Sequence, residues 1–202
     1  MTTTIVHLVR HGEVFNPSKI LYGRLPDRHL SARGVSMAHR TAESFRSHDV
    51  TVLKSSPLER AQETAAPIAE IVGLDIAIDQ DLLEAGNRFE GLRVRGWRSQ
   101  LWNPVRWPLL KDPRIPSWGE PYIEIRDRMM KAVEKARQEA EGHEAILVSH
   151  QLPIVCIQRD AQNLPLYHNP ASRRCNLASV TSLVFQDDEL IDYRYNEPAQ
   201  DI

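Results

Sequence analysis

Residues Ile5 to Val9 form a short, β-branched apolar run that stops abruptly at Arg10-His11-Gly12-Glu13. A run of this length, bounded by polar residues and a glycine, predicts a buried strand. A second such run, Ala145 to Val148, stops at Ser149-His150. If the two are parallel strands of one sheet, His11 and His150 leave it at the same edge, where open α/β sheets hold their ligands. The guanidinium of Arg10 can grip two oxygens of a phosphate, and Gly12 lets the backbone turn sharply beside it. Taken alone, the Arg-His pair describes a strand end with solvated basic side chains equally well.

The chain between and beyond these runs alternates in period. Ser31 is an N-cap for a helix whose apolar stripe is Val35, Ala38, Ala42 and Phe45, and Val50 to Leu53 is a second short strand. Ser56, Pro57 and Glu59 have the spacing of an N-cap, first helical residue and capping box. The helix they open carries Leu58, Ala61, Ala65, Ile68 and Val72 on one face and stops at Gly73, with Pro67 predicted to kink or break it. Arg60 falls in its first turn, where a cation works against the helix dipole and a bound anion would offset it. Asp75 to Ile78 reads as a strand, Ile125 to Ala140 as a long helix stopped at Gly142, and Pro153 to Asp160 as a shorter helix. Leu177 to Phe185 and Leu190 to Tyr195 close the chain as strands around Gln186-Asp187-Asp188. This alternation predicts an α/β fold: a three-layer α/β/α sandwich on a mostly parallel central sheet, with residues 1–202 forming a single domain.

The composition shifts from Arg88 to Trp118. This stretch holds all four tryptophans, Trp97, Trp102, Trp107 and Trp118, and seven basic against two acidic residues lie between Arg88 and Arg114. It reads as a cap excursion over the active-site edge of the sheet, either packing through its aromatics or selecting an anionic substrate. A net charge of -2 gives no footprint for nucleic acid. No apolar run approaches the roughly 20 residues that span a bilayer, and no signal peptide opens the sequence, so neither membrane nor nucleic-acid partners are expected. Cys156 and Cys175 have neither metal-ligand spacing nor a disulfide framework, as expected of a reduced, cytoplasmic chain. Arginine outnumbers lysine 20 to 5, so only the position of an arginine can mark it as functional.

Several segments, in order, resemble the histidine phosphatase superfamily in its phosphoglycerate-mutase-like branch. They are Leu8 to Glu13, Leu30-Ser31-Ala32-Arg33-Gly34, Ser55 to Ala65, Leu83-Glu84, Phe89-Glu90-Gly91, Trp118-Gly119-Glu120 and Leu147 to His150. The resemblance implies that His11 is the nucleophile, forming a phosphohistidine, with a hydrogen bond to its other nitrogen fixing the tautomer. It implies that Arg10, Arg60 and His150 hold the phosphoryl oxygens and offset their charge. Glu84 would protonate the leaving oxygen and then take a proton from the attacking water. Neither metal nor organic cofactor is implied, since arginine and histidine supply the positive charge.

The sequence also departs from that family's pattern. Asn16 stands one residue earlier than the family's usual asparagine, so its place on the phosphate rests on a contracted loop. Gln151 replaces a common glycine after the second histidine and, with Tyr22 and Gly23, is a candidate substrate contact. The Glu84-Ala85-Gly86-Asn87 loop lacks the glutamate-arginine pattern of true mutases, and the chain is shorter than they are. The expected function is therefore a metal-independent phosphomonoesterase acting on a small-molecule phosphoester. A phosphoglycerate mutase primed by a bisphosphorylated cofactor and a phosphate-binding module without turnover stand as alternatives. Substrate identity and oligomeric state are open at the level of sequence.

Overall fold

A computed structural model describes residues 1–93, 99–100, 103–105 and 119–202. The strands are β1 (Thr3–Arg10), β2 (Val50–Ser55), β3 (Ala77–Ile78), β4 (Glu144–Ser149), β5 (Val180–Gln186) and β6 (Glu189–Asn196). The helices are α1 (Ala32–Glu43), α2 (Glu59–Val72), α3 (Tyr122–Glu139) and α4 (Gln151–Ala161), with short 3-10 turns at Gln80–Leu82 and Pro170–Ser172. The six strands form one sheet in the order β3-β2-β4-β1-β5-β6. β3, β2, β4 and β1 pair in parallel, while β1–β5 and β5–β6 are antiparallel.

Alternate residues of β1 feed the two faces. Val6 and Leu8 pack with Met129, Val133 and Ala136 of α3 and Ile154 and Ile157 of α4. Val9 packs on the other face with Ala42 of α1 and Ala61, Ala65 and Ile68 of α2. With both faces covered, β1 and β4 read as continuous apolar runs rather than alternating ones. Each fully buried Val, Leu or Ile side chain contributes about 1.5–3 kcal/mol of transfer free energy to this three-layer core.

Local differences from the sequence reading have physical causes. Val35 is 45% exposed, and α1 buries Gly34, Met37, Ala38, Thr41 and Ala42 instead. A Cβ on Gly12 would stand 2.6 Å from the Gly34 carbonyl oxygen, so this close approach of the β1 exit sets the face that α1 presents. Ser31 caps α1 as expected, accepting from the Gly34 N–H at 3.0 Å. Ser56, by contrast, is not the N-cap: α2 begins at Glu59 with Leu58 at its N-cap, and the Ser56 hydroxyl lies 2.7 Å from His150 Nε2. Pro67 is buried inside α2, which continues through it to Gly73, left-handed at φ 71°. β3 is confined to Ala77–Ile78. α4 starts at Gln151, so Pro153 occupies its first turn, where no N–H donor is needed. β5 starts only at Val180, after Ala178 at φ 55°.

The four tryptophans of the predicted cap excursion lie outside the described residues. Its two ends meet: Asn87 and Gly119 form an antiparallel bridge, and a Cβ on Gly119 would come within 2.7 Å of the Gly86 carbonyl oxygen.

Candidate active site

The parallel register of β1 and β4 pairs Arg10 with Ser149, which brings the next residues, His11 and His150, side by side. Their ring centroids are 5.2 Å apart, with the planes at 57°. The His11 N–H donates to the Ser149 carbonyl at 3.1 Å, and the Ser56 N–H at the end of β2 donates to the Val148 carbonyl at 2.9 Å. The carboxyl ends of β1, β4 and β2 thus converge on one point.

Nδ1 of His11 donates to the Gly12 carbonyl at 2.8 Å, so the proton resides on Nδ1 and Nε2 keeps its lone pair. Thr64 holds this loop from α2, accepting from the Gly12 N–H at 3.1 Å while donating to the Arg60 carbonyl at 2.7 Å. His150 is fixed differently: its Nε2 lies 2.7 Å from Ser56 Oγ. That oxygen also accepts from the Leu58 N–H at 3.4 Å. If the hydroxyl hydrogen goes to Nε2, the imidazole proton is on Nδ1, which has no partner among the described residues. The sequence marks Ser56 only as a helix cap and does not mark Thr64 individually, although both lie inside the Ser55–Ala65 segment.

Arg60 is fully buried, with one guanidinium nitrogen donating to the Gly23 carbonyl at 2.6 Å and its carbon 4.9 Å from the Tyr22 ring centroid. Arg10 donates to the Cys175 carbonyl at 2.6 Å. Among the described residues, Nε and Nη1 of Arg60, Nε of Arg10 and Nδ1 of His150 are buried without a hydrogen-bond partner. An unmet buried donor costs about 1–3 kcal/mol, and more when charged. An anion that accepts from several directions could satisfy all of them at once.

Burial and the two guanidinium charges act together on the imidazoles. His11 is held well below the usual imidazole pKa by desolvation first, then by Arg60 and Arg10. His150 is lowered likewise, by desolvation and then Arg60. Both rings are therefore neutral near pH 7. Burial also lowers the Arg60 pKa, with Glu84 the largest opposing influence.

A cavity of about 910 Å³ opens onto this cluster. His11, Arg10, Asn16, Tyr22, Gly23, Glu84 and Gln151, all candidates from the sequence, line it, together with the basic side chains of Lys19, Arg93 and Arg173. Arg60 and His150 sit behind this wall, both fully buried. Asn16 spends its amide within its own loop, donating to the Ile20 carbonyl at 2.8 Å and accepting from the Ile20 N–H at 3.2 Å. The Gln151 amide is 3.4 Å from the Cys175 carbonyl, the same oxygen that Arg10 uses. Glu84 accepts from the Ala85 N–H at 2.8 Å. Arg24 holds the Glu84 loop, donating to the Glu84 carbonyl at 2.6 Å and to Glu120 at 2.8 Å. Arg128 also donates to Glu120, at 2.8 Å, and to the Asp81 carbonyl at 2.7 Å. Glu120, in the Trp118-Gly119-Glu120 segment, is thus a positioning residue that the sequence offered only as part of a motif.

A sequence profile described as histidine phosphatase superfamily (branch 1) matches residues 6–197. The chain belongs to the histidine phosphatase superfamily. It is 49% identical over 196 residues to the uncharacterized protein Rv0525 of Mycobacterium tuberculosis, covering 97% of each chain. It is 32% identical to the probable phosphoglycerate mutase GpmB of Salmonella choleraesuis, covering 91% of this chain and 86% of that one. The histidine phosphatase fold is also shared with the mycobacterial glucosyl-3-phosphoglycerate phosphatase Rv2419c, at a TM-score of 0.71 and 24% identity over 96% and 98% of the two chains. No helix among the described residues of this superfamily member is long and apolar enough to cross a membrane.

Proposed function

We propose that the chain is a metal-independent phosphomonoesterase acting on a small phosphorylated metabolite through a phosphohistidine on His11. The observation that carries this reading is the group of buried, unmet donors on Arg60, Arg10 and His150 around an imidazole whose Nδ1 is pinned and whose Nε2 is free. In the first step Nε2 of His11 bonds to phosphorus, the ester P–O bond breaks, and Glu84 gives its proton to the leaving oxygen. In the second, water attacks phosphorus, Glu84 takes a proton from it, and the P–N bond breaks to release phosphate and regenerate His11. Arg10, Arg60 and His150 donate to the non-bridging oxygens throughout, so that the charge developing in the transition state meets preorganised donors. Asn16, Gln151, Tyr22 and Gly23 belong to the part of the cavity that meets the rest of the substrate. Residues 1–202 act as a single domain in this reading.

A phosphoglycerate mutase is the second reading, favoured by the similarity to GpmB. The Glu84-Ala85-Gly86-Asn87 loop favours the phosphatase. A metabolite phosphoester screen read by phosphate release, with His11→Ala as the blank, tests the first reading. Adding 3-phosphoglycerate with and without a bisphosphorylated primer separates the two, since isomer formation identifies a mutase and free phosphate a phosphatase. Tight vanadate binding with no turnover across the panel would instead identify a binding module.

A further inference from the structure

A second cluster lies away from the His11 cavity, on the α1–α2 side of the sheet. His7 comes from the middle of β1, His48 from the turn between α1 and β2, and Glu144 is the first residue of β4. Nε2 of His7 lies 2.8 Å and Nδ1 of His48 2.6 Å from the same Glu144 Oε2, and the three ligand atoms all fall within 4.8 Å of one another. His7 is buried, edge-on to Phe45 at 5.2 Å between centroids and to His48 at 5.4 Å. Behind it, Ser182 Oγ on β5 is 2.8 Å from His7 Nδ1. In this metal-free arrangement the Nε2–H of His7 donates to Glu144; once a metal displaces that proton, the remaining one sits on Nδ1 and is donated to Ser182, leaving the Nε2 lone pair for the ion. His7 and His48 also line a cavity of about 560 Å³, which leaves room for a water ligand.

We propose that His7, His48 and Glu144 bind one divalent transition-metal ion, zinc by preference, at a site separate from the phosphoryl-transfer residues. Two imidazole nitrogens, one carboxylate oxygen and an open fourth position form a donor set that suits zinc. Around tetrahedral zinc with bonds of about 2.0–2.1 Å, neighbouring donors stand about 3.3 Å apart. The two nitrogen–carboxylate contacts, at 2.8 and 2.6 Å, open by about 0.5–0.7 Å to meet that geometry. The imidazole nitrogens, within 4.8 Å of each other, settle around the ion, and the imidazole protons shared with Glu144 pass to solvent. His7 precedes His11 by four residues, roughly 13 Å along an extended strand, so the ion takes no part in the reaction. Its effect is to tie the α1–β2 turn to β1 and β4. Positions 7, 48 and 144 are too far apart in the chain for any motif to signal the site.

The test is equilibrium zinc binding to chelator-stripped full-length protein, read by competition with a chromogenic chelator. One equivalent is expected, and cobalt in its place should show the visible absorption of a four-coordinate ion. His48→Ala, at a partly exposed position that tolerates truncation, and Glu144→Gln should each abolish binding. Ser182→Ala should weaken it about ten- to a hundredfold. His11→Ala should leave it intact, which separates this site from the reaction centre whatever that centre does. Absence of stoichiometric zinc, or retention of zinc in both His48→Ala and Glu144→Gln, would overturn the proposal.

Discussion

Ser56 Oγ and His150 Nε2 stand 2.7 Å apart, both fully buried, linking the end of β2 to the end of β4. The serine that reads as a helix cap is instead the partner that sets the tautomer of the second histidine. When the hydroxyl hydrogen goes to the ring, His150 keeps a donor on Nδ1.

Ser56→Ala should therefore lower kcat, leaving an unmet buried nitrogen and an unfixed tautomer at a cost of about 1–2 kcal/mol, or roughly five- to thirtyfold. Ser56→Thr, which keeps the hydroxyl, should recover most of the loss. Steady-state kinetics on the best substrate of the screen, with KM followed separately, checks both variants; equal kcat in wild type and Ser56→Ala would contradict the tautomer assignment.

Arg60 is a buried cation with two unmet nitrogens, so its effects on activity and stability should oppose one another. Arg60→Met keeps the volume and removes the charge. It should cost about 3–4 kcal/mol of barrier, by analogy with loss of one oxyanion-hole donor, while leaving the melting temperature unchanged or raised. A variant that keeps full activity would remove Arg60 from the phosphate site.

Glu84→Gln should depend on the leaving group. Alkyl phosphates, whose alkoxide needs a proton, should slow by about 10²–10⁴, whereas a nitrophenyl phosphate should lose far less in the first step. Pre-steady-state bursts of nitrophenol followed by slow turnover would show the second step impaired. Equal losses on both substrates in the single-turnover rate of the first step would argue against Glu84 as the acid for the leaving group.

The depressed pKa of His11 makes a stability prediction. Below the ordinary value of 6.5 the unfolded chain takes up a proton that the folded one refuses. Stability is then full above that value and falls as pH drops below it, at about 1.4 kcal/mol per pH unit for each such histidine. Urea unfolding between roughly pH 7 and pH 5 should show wild type losing stability more steeply than His11→Asn by that slope. Parallel curves would mean that His11 titrates normally in the fold.

Gly12→Ala should destabilise the protein by about 1–3 kcal/mol, because its Cβ would meet the Gly34 carbonyl oxygen, a backbone atom that cannot swing aside. The same substitution should reduce turnover by displacing His11. Chemical denaturation and kinetics on one preparation would read both effects.

The sequence by itself determined the layered α/β fold, the two strand ends bearing Arg10-His11 and His150, and the segment bearing Arg60. Those follow from apolar runs and helical periods, which are local, and from motifs confined to a few consecutive residues. Only the tertiary structure decided that Ser56 serves His150 rather than α2, that Thr64 props the Gly12 loop, and that Arg24, Glu120 and Arg128 hold the Glu84 loop. It also decided that the Asn16 amide closes its own loop and that His7, His48 and Glu144 share one point. Each of these last arrangements, apart from Asn16, joins residues from separate elements, and such pairings are set by sheet order and register, which no local pattern encodes.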